Sequence, residues 1–484
     1  MSTLRSVARN IAMLTASRVA IWVAAFAFTI AQARYLGPGH FGELSVALTY
    51  AALIAIVMDF GLGTQLSRMV AQRSPGYEQA LTATLALRAA LWLISAPAIL
   101  LVGFLLGYGP ELQLCVLLLA VSVLLVGLSN TLASFLQGQE EFGLAACAAV
   151  AQSFTAAAIG WVVLVARPEI VAVAWAFVVA GAANLAVLLL SGTLRSSLRL
   201  VVDPRGALQL LSTALPLGVY AIATTFYFGV DMVMLERLAA PENVGWYAAA
   251  YRPFGAATIF PSIVAGMVLY PVLSRLSLGS RDELRAVIEK ALTVLTLVGV
   301  GVALMFGLFA DGIVGVLYPA ASYAPAASAL RILAPGLVFI YVNWAFAMAL
   351  LGLGQERRLV LMALATAVLN PLMNVAAIPL FKEEGAAFTT SLTELLVLTW
   401  LVRMMPRDLL RPAMGRLGLK VAAAAALTAI VLLPLRGQPL LVAVPAAVAL
   451  YAAAALATRT VTARELVALG ALVLPLRPAR SEVR

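Results

Sequence analysis

The 484 residues predict an all-α polytopic membrane protein of about fourteen transmembrane helices, built as two pseudo-symmetric six-helix lobes plus two C-terminal helices. Three observations predict it: a composition only 11% charged, apolar runs long enough to cross a bilayer, and short motifs that recur in order in both halves. With 63% apolar residues and a mean hydropathy of +1.01, a soluble chain of this length would lack the charge to cover its surface. Each span needs about 20 mostly apolar residues, and lipid satisfies no backbone group, so such runs must be helices.

The apolar runs fall at 11–33, 41–62, 79–106, 112–136, 144–166, 169–192, 209–236, 244–272, 287–310, 331–353, 359–380, 385–404, 418–435 and 439–458. Pro434 and Pro445 interrupt the last two, and a tail from Arg459 to Arg484 has the composition of a helix lying on the membrane surface. The first run is too long for a signal core and has no clear cleavage site, so it is expected to stay as a span.

The basic residues test this count. With a cytoplasmic N-terminus, Arg34, Arg167, Arg237, Arg331, Lys382 and Arg436 fall on the outer side and Arg18, Arg88 and Arg252 inside spans. All the others of the 32 fall on the inner side, and the C-terminus is cytoplasmic too. Adding or dropping one span would invert half of the chain and destroy the bias. The net charge of +10 is therefore an orientation signal. No basic patch interleaved with aromatics points to nucleic acid.

Several chemistries are excluded. Cys115 and Cys147 lie in apolar runs without disulfide or metal spacing, and His40 is the only histidine. No lysine follows a glycine, so no phosphate-binding loop exists for ATP. No loop is long enough for a catalytic domain. No catalytic residue, metal site or cofactor is expected, and the chain reads as no enzyme; coupling to H+ or Na+ stays open.

The repeat appears in the connections. Pro38-Gly-His-Phe-Gly42 precedes span two and Pro241-Glu-Asn-Val-Gly245 precedes span eight. Ser67-Arg68 and Ser274-Arg275 close the spans that follow. Gly138-Gln-Glu140 follows span four and Gly354-Gln-Glu356 follows span ten. The implied division is an N-lobe at 1–192, a cytoplasmic linker at 193–208, a C-lobe at 209–404, and helices thirteen and fourteen with the tail at 405–484. Same-orientation repeats of this kind place a substrate path between the lobes.

Ionisable residues inside spans are costly unless they face a partner or a watery interior. They are Arg18 and Arg88 in the inner halves of spans one and three, and Asp59 near the inner end of span two. Asp231 and Arg252 lie in the outer third of spans seven and eight, and Glu394 near mid-depth in span twelve. Arginine binds phosphate in a bidentate fork and keeps its charge in a poor solvent. Arg18, Arg88, Arg252 and Tyr251 are thus the candidate contacts for an anionic head group such as a pyrophosphate, and Asp59, Asp231 and Glu394 the candidate ion-coupling groups. The structural alternative pairs Asp231 with Arg252, and Asp59 with Arg18 or Arg88. Trp246 and Tyr247 fit an interfacial belt, and Asn370 with Asn374 on one face of span eleven fit interhelical glue as well as a substrate contact.

Ala33-Arg-Tyr-Leu-Gly-Pro-Gly-His-Phe-Gly42, Asp59-Phe-Gly-Leu-Gly63, Gly245-Trp-Tyr-Ala-Ala-Ala-Tyr-Arg252 and Pro271-Val-Leu-Ser274 resemble the bacterial polysaccharide flippases of the multidrug/oligosaccharidyl-lipid/polysaccharide exporter superfamily. The resemblance runs from about residue 10 to 404. It implies a V-shaped transporter that turns undecaprenyl-pyrophosphate-linked oligosaccharide from the inner to the outer leaflet of the bacterial inner membrane. That step would serve lipopolysaccharide or exopolysaccharide assembly, beside polymerase and glycosyltransferase partners. In the lipid II branch the cavity arginines lie on spans one and eight, and Arg18 and Arg252 occupy corresponding spans. The competing expectations are a cation-coupled multidrug antiporter, which would want an acidic cavity, and a membrane glycosyltransferase or polymerase, which would want an acidic active-site loop.

Overall fold

The computed structural model describes residues 2–74, 76–192, 194, 204–277, 279–410, 413–435, 437–458 and 460–461; at 2–20, 204–205, 216–217, 267, 413–417 and 435 it describes the backbone alone. The Arg18 side chain and the expected surface tail from 462 onward lie outside the described residues. Among those residues there is no β-strand, and eleven helices are long and apolar enough to cross a membrane. Two of the eleven are pairs of spans joined end to end, and a shorter apolar helix supplies one more, so the expected count of about fourteen is met.

The first helix, α1, runs from Ser2 to Asp59 and absorbs the first two expected spans. Its one non-helical residue is Gly37, at φ 72° and ψ 172°. Glycine tolerates that conformation, and Pro38 restarts a helix at the position where its missing N–H costs nothing. A short α2 (Leu62–Ala71) follows, then α3 (Tyr77–Leu105), α4 (Pro110–Gly138), α5 (Phe142–Ala166) and α6 (Ile170–Leu189). Next come α7 (Pro204–Leu238) and α8 (Pro241–Ile263), the latter passing through a π-helical turn at Val264–Leu269 into α9 (Tyr270–Leu276). Pro261 lies just before that turn, and a ring without an N–H is a known cause of such local rewinding.

The chain continues through α10 (Arg281–Leu317), the one-turn α11 (Ala320–Tyr323) and α12 (Pro325–Gly352). Spans eleven and twelve form α13 (Glu356–Met404), broken only at Lys382, φ 51°. Helices α14 (Ala413–Leu432) and α15 (Leu440–Ala457) complete the described helices. Large apolar side chains such as Phe104, Leu105, Trp161, Val162 and Leu441 stand on outward faces, as a lipid solvent requires.

Packing divides the chain into two units. The first comprises 1–249, 317–323 and 360–386, and the second 250–316, 324–359 and 387–484. In the first unit α4 and α5 pack on α6, and α1 packs on α4, α5 and α7. Small residues allow the approach: a Cβ at Gly160 would fall within the ring of Phe28, and one at Gly127 would strike Met58. In the second unit Tyr341 lies against Gly299 and donates its hydroxyl to the Ala257 carbonyl at 2.7 Å. There α14 and α15 pack together, and the Tyr451 hydroxyl donates to the Leu297 carbonyl at 3.0 Å.

Candidate functional site

The stretch Asp59-Phe-Gly-Leu-Gly63 builds the first cluster. Phe60 and Gly61 take positive φ angles of 42° and 77°, which turns the chain sharply between α1 and α2. Phenylalanine disfavours that region, and its ring is held against Gly218 of α7, where a Cβ would come within 2.7 Å. The turn leaves Asp59 Oδ2 accepting from the Gly61 N–H at 3.3 Å. Asp59 Oδ1 receives Nη2 of Arg88 from α3 in a salt bridge.

Arg88 Nη1 donates to the Gly127 carbonyl at 2.5 Å and to Thr131 Oγ1 at 2.9 Å, while its Nε is buried without a hydrogen-bond partner among the described residues. A Cβ at Gly63 would lie 3.0 Å from Nη2 and 3.4 Å from Asp59 Oδ1, so the second glycine of the motif makes room for the pair. The Arg88 side chain is 2% exposed and that of Asp59 44%. The cation is thus held by the protein and the carboxylate borders open space: both line a hollow of about 220 Å³ with Ser122, Asn130 and Gln152. Of the two pairings open to Asp59 in the sequence, the described residues contain the one with Arg88.

The second cluster is fully buried. Asp231 of α7 accepts from the Tyr247 hydroxyl at 2.9 Å and from Asn374 Nδ2 at 2.6 Å, and Asn374 also donates to Asn370 Oδ1 at 3.0 Å. The i, i+4 spacing on α13 puts both amides on the face that meets α7. Tyr247, expected at an interface, is 1% exposed, whereas Trp246 donates its ring N–H to the Ser322 carbonyl at 2.8 Å. A carboxylate with amide oxygens nearby is a ligand set that suits a hard cation or takes up a proton. A buried Asn243–Glu383 hydrogen bond of 2.6 Å ties α8 to α13 in the same unit.

The second unit holds Tyr251, Arg252 and Glu394. Tyr251 is part-buried, its ring tilted against Phe254 at 5.3 Å, and Arg252 beside it is part-buried. Glu394 is buried and accepts Asn343 Nδ2 at 2.8 Å, the same amide donating to its backbone carbonyl at 3.1 Å. Asp231 and Arg252, a possible pair in the sequence, belong to different units.

Two features escaped the sequence. Asn343 lies 51 residues from its partner Glu394, at a spacing no local pattern marks. Glu43, Tyr108, Glu111, Glu236 and Arg237 come together around a hollow of about 400 Å³. Tyr108 there shares a 3.0 Å hydrogen bond with Tyr50, and burial, with Tyr50 and Glu236 nearby, raises its hydroxyl far above the usual tyrosine range. It stays protonated at any physiological pH.

Helices of this length and order, with charges embedded among them, make a multi-pass membrane protein. The chain belongs to the polysaccharide biosynthesis protein family, whose sequence pattern matches residues 7–277, more than half its length. The MatE pattern matches residues 216–376. The fold is similar to that of the lipid II flippase MurJ in an inward closed conformation, with a TM-score of 0.75 at 12% identity, covering 94% of this chain and 99% of that one. It is also similar to an inward-facing multidrug resistance MATE transporter (TM-score 0.63, 15% identity, 82% and 95% covered). A superfamily transporter from Pyrococcus furiosus, described as having reversed polarity of its binding pocket, follows at 0.55 and 16% identity, with 81% and 94% covered. At these identities the likeness is one of fold. No curated protein sequence matches the chain significantly.

Proposed function

We propose that this chain is a flippase that carries a lipid-linked oligosaccharide, with an undecaprenyl-pyrophosphate anchor, from the inner to the outer leaflet of a bacterial cytoplasmic membrane. The observation that carries the reading is the match of residues 7–277 to the polysaccharide biosynthesis family, in a chain whose Arg88, ion-paired with Asp59, borders a hollow among apolar helices. Release of Asp59 from this pair would leave a desolvated guanidinium, which attracts an anionic head group more strongly than it would in water. Arg18 and Arg252 are the other proposed phosphate contacts, with Tyr251 available to stack on a sugar. The two six-span lobes, the cytoplasmic termini and the polymerase and glycosyltransferase partners belong to the same proposal.

Asp231 is the foremost candidate for coupling to H+ or Na+, because it is buried among oxygen-bearing neighbours; Asp59 and Glu394 remain the other two. One observation favours a second reading, cation-coupled drug extrusion: the Asp231 cluster falls within the stretch that matches MatE. Complementation separates the two. A flippase-null bacterium that regains surface glycan supports the first reading, and resistance to cationic drugs without glycan supports the second.

A further inference from the structure

Three side-chain amides converge on a hollow of about 390 Å³ between α2, α3 and α7, all within the first unit. Gln65 and Met69 come from one face of α2, Gln79 from the first turn of α3, and Gln209, Leu210 and Thr213 from one face of α7. The i, i+4 and i, i+3 spacings explain why each helix offers two or three neighbours to one space. None of the three amides makes a side-chain hydrogen bond among the described residues, so their donors and acceptors are unspent. No charged residue is among the described residues that line the hollow, although Arg68 and Arg73 stand close by in sequence. Behind it Leu62, Leu210 and Ala214 form a small apolar core that fixes α2 against α7.

We propose that this hollow is a subsite for an uncharged sugar ring, and the proposal rests on the flippase reading. A sugar offers alternating hydroxyl donors and acceptors around an apolar C–H face. Glutamine amides supply both hydrogen-bonding senses, and Met69 and Leu210 supply apolar surface. The volume lies in the range of small-molecule sites. A phosphate would find no cation among the described lining residues, whereas Arg88 lines a separate hollow with residues of α1 and α4. Gly76 at the start of α3 helps keep the hollow open: its φ of 80° disfavours any side chain, and a Cβ there would lie 3.1 Å from Gln79 Oε1.

Saturation-transfer NMR on the full-length protein in nanodiscs tests this, with N-acetylglucosamine as probe and glucuronic acid as the charged comparator. Gln65→Ala, Gln79→Ala and Gln209→Ala each remove an amide that the fold does not use, so the variants keep their structure. The expected result is binding of N-acetylglucosamine in preference to glucuronic acid, weakened about three- to tenfold by each substitution and lost in the triple variant. No binding by the folded wild type, equal binding of the charged sugar, or unchanged binding by the triple variant overturns the subsite. Restored glycan in the complementation assay together with any of those three results would leave the flippase reading intact. Amide-dependent sugar binding without glycan transport would keep the subsite and remove the flippase.

Discussion

A Cβ atom on Gly245 would lie 1.9 Å from the carbonyl oxygen of Pro38, so the backbones of the two repeat-related turns touch directly. The contact is reciprocal: a Cβ on Gly42 would lie 2.4 Å from the Pro241 carbonyl and 2.9 Å from the Gly245 nitrogen. Each Pro-x-x-x-Gly turn thus presents its glycine to the proline of the other. Glycine is the residue that permits such an approach between helix ends.

Gly245→Ala is therefore expected to destabilise the protein by about 1–3 kcal/mol or to abolish folded yield, because backbone rather than a flexible side chain must move. Gly143→Ala is the control, since nothing lies within 4 Å of where its Cβ would stand and a helical glycine with free space gains from alanine. Thermal unfolding in detergent reads both. Equal melting temperatures for the two variants would mean that the turns do not touch in solution.

The Asp59–Arg88 pair predicts an asymmetric cycle. Asp59→Asn leaves a buried guanidinium without its counter-charge and should cost about 2–4 kcal/mol. Arg88→Gln strands only a carboxylate that is 44% exposed, so its cost should be smaller, near ~1 kcal/mol after solvent screening. The double variant should recover part of the loss. A double variant whose melting shift equals the sum of the singles would show that the pair is not coupled.

Asp231→Asn tests the coupling site. Loss of at least about tenfold in ion-gradient-dependent transport is expected, a factor that matches removal of one charged ligand from a buried set. Folded yield is retained because Tyr247 and Asn374 still have a polar partner. Tyr247→Phe should give an intermediate defect. Transport that keeps its full dependence on the H+ or Na+ gradient in Asp231→Asn would move coupling to Asp59 or Glu394.

The helical membrane class was legible because its signals are local: apolar run length and loop charge. The joins at Gly37 and Lys382 were not, because a single residue can redirect a chain whose helical hydrogen bonding resumes at once. The motif Asp59-Phe-Gly-Leu-Gly63 marked the family before its physical use was visible. Only the fold reveals that Gly63 clears space for Arg88 from another helix. Asp231 stood out as a charge inside a span, but its partners on α8 and α13 depend on packing that no spacing encodes. The amides around the further hollow were silent for the same reason: glutamines at helix ends look like ordinary surface residues.

An arginine-dependent path for an anionic lipid-linked glycan is the central claim. Its most direct test is complementation of a flippase-null bacterium by wild type and by Arg18→Ala, Arg88→Ala and Arg252→Ala, with membrane levels of each protein measured. Wild type is expected to restore surface glycan, and the variants to lose it at normal protein levels. Glycan restored equally by all four proteins would contradict the claim and make the arginines structural.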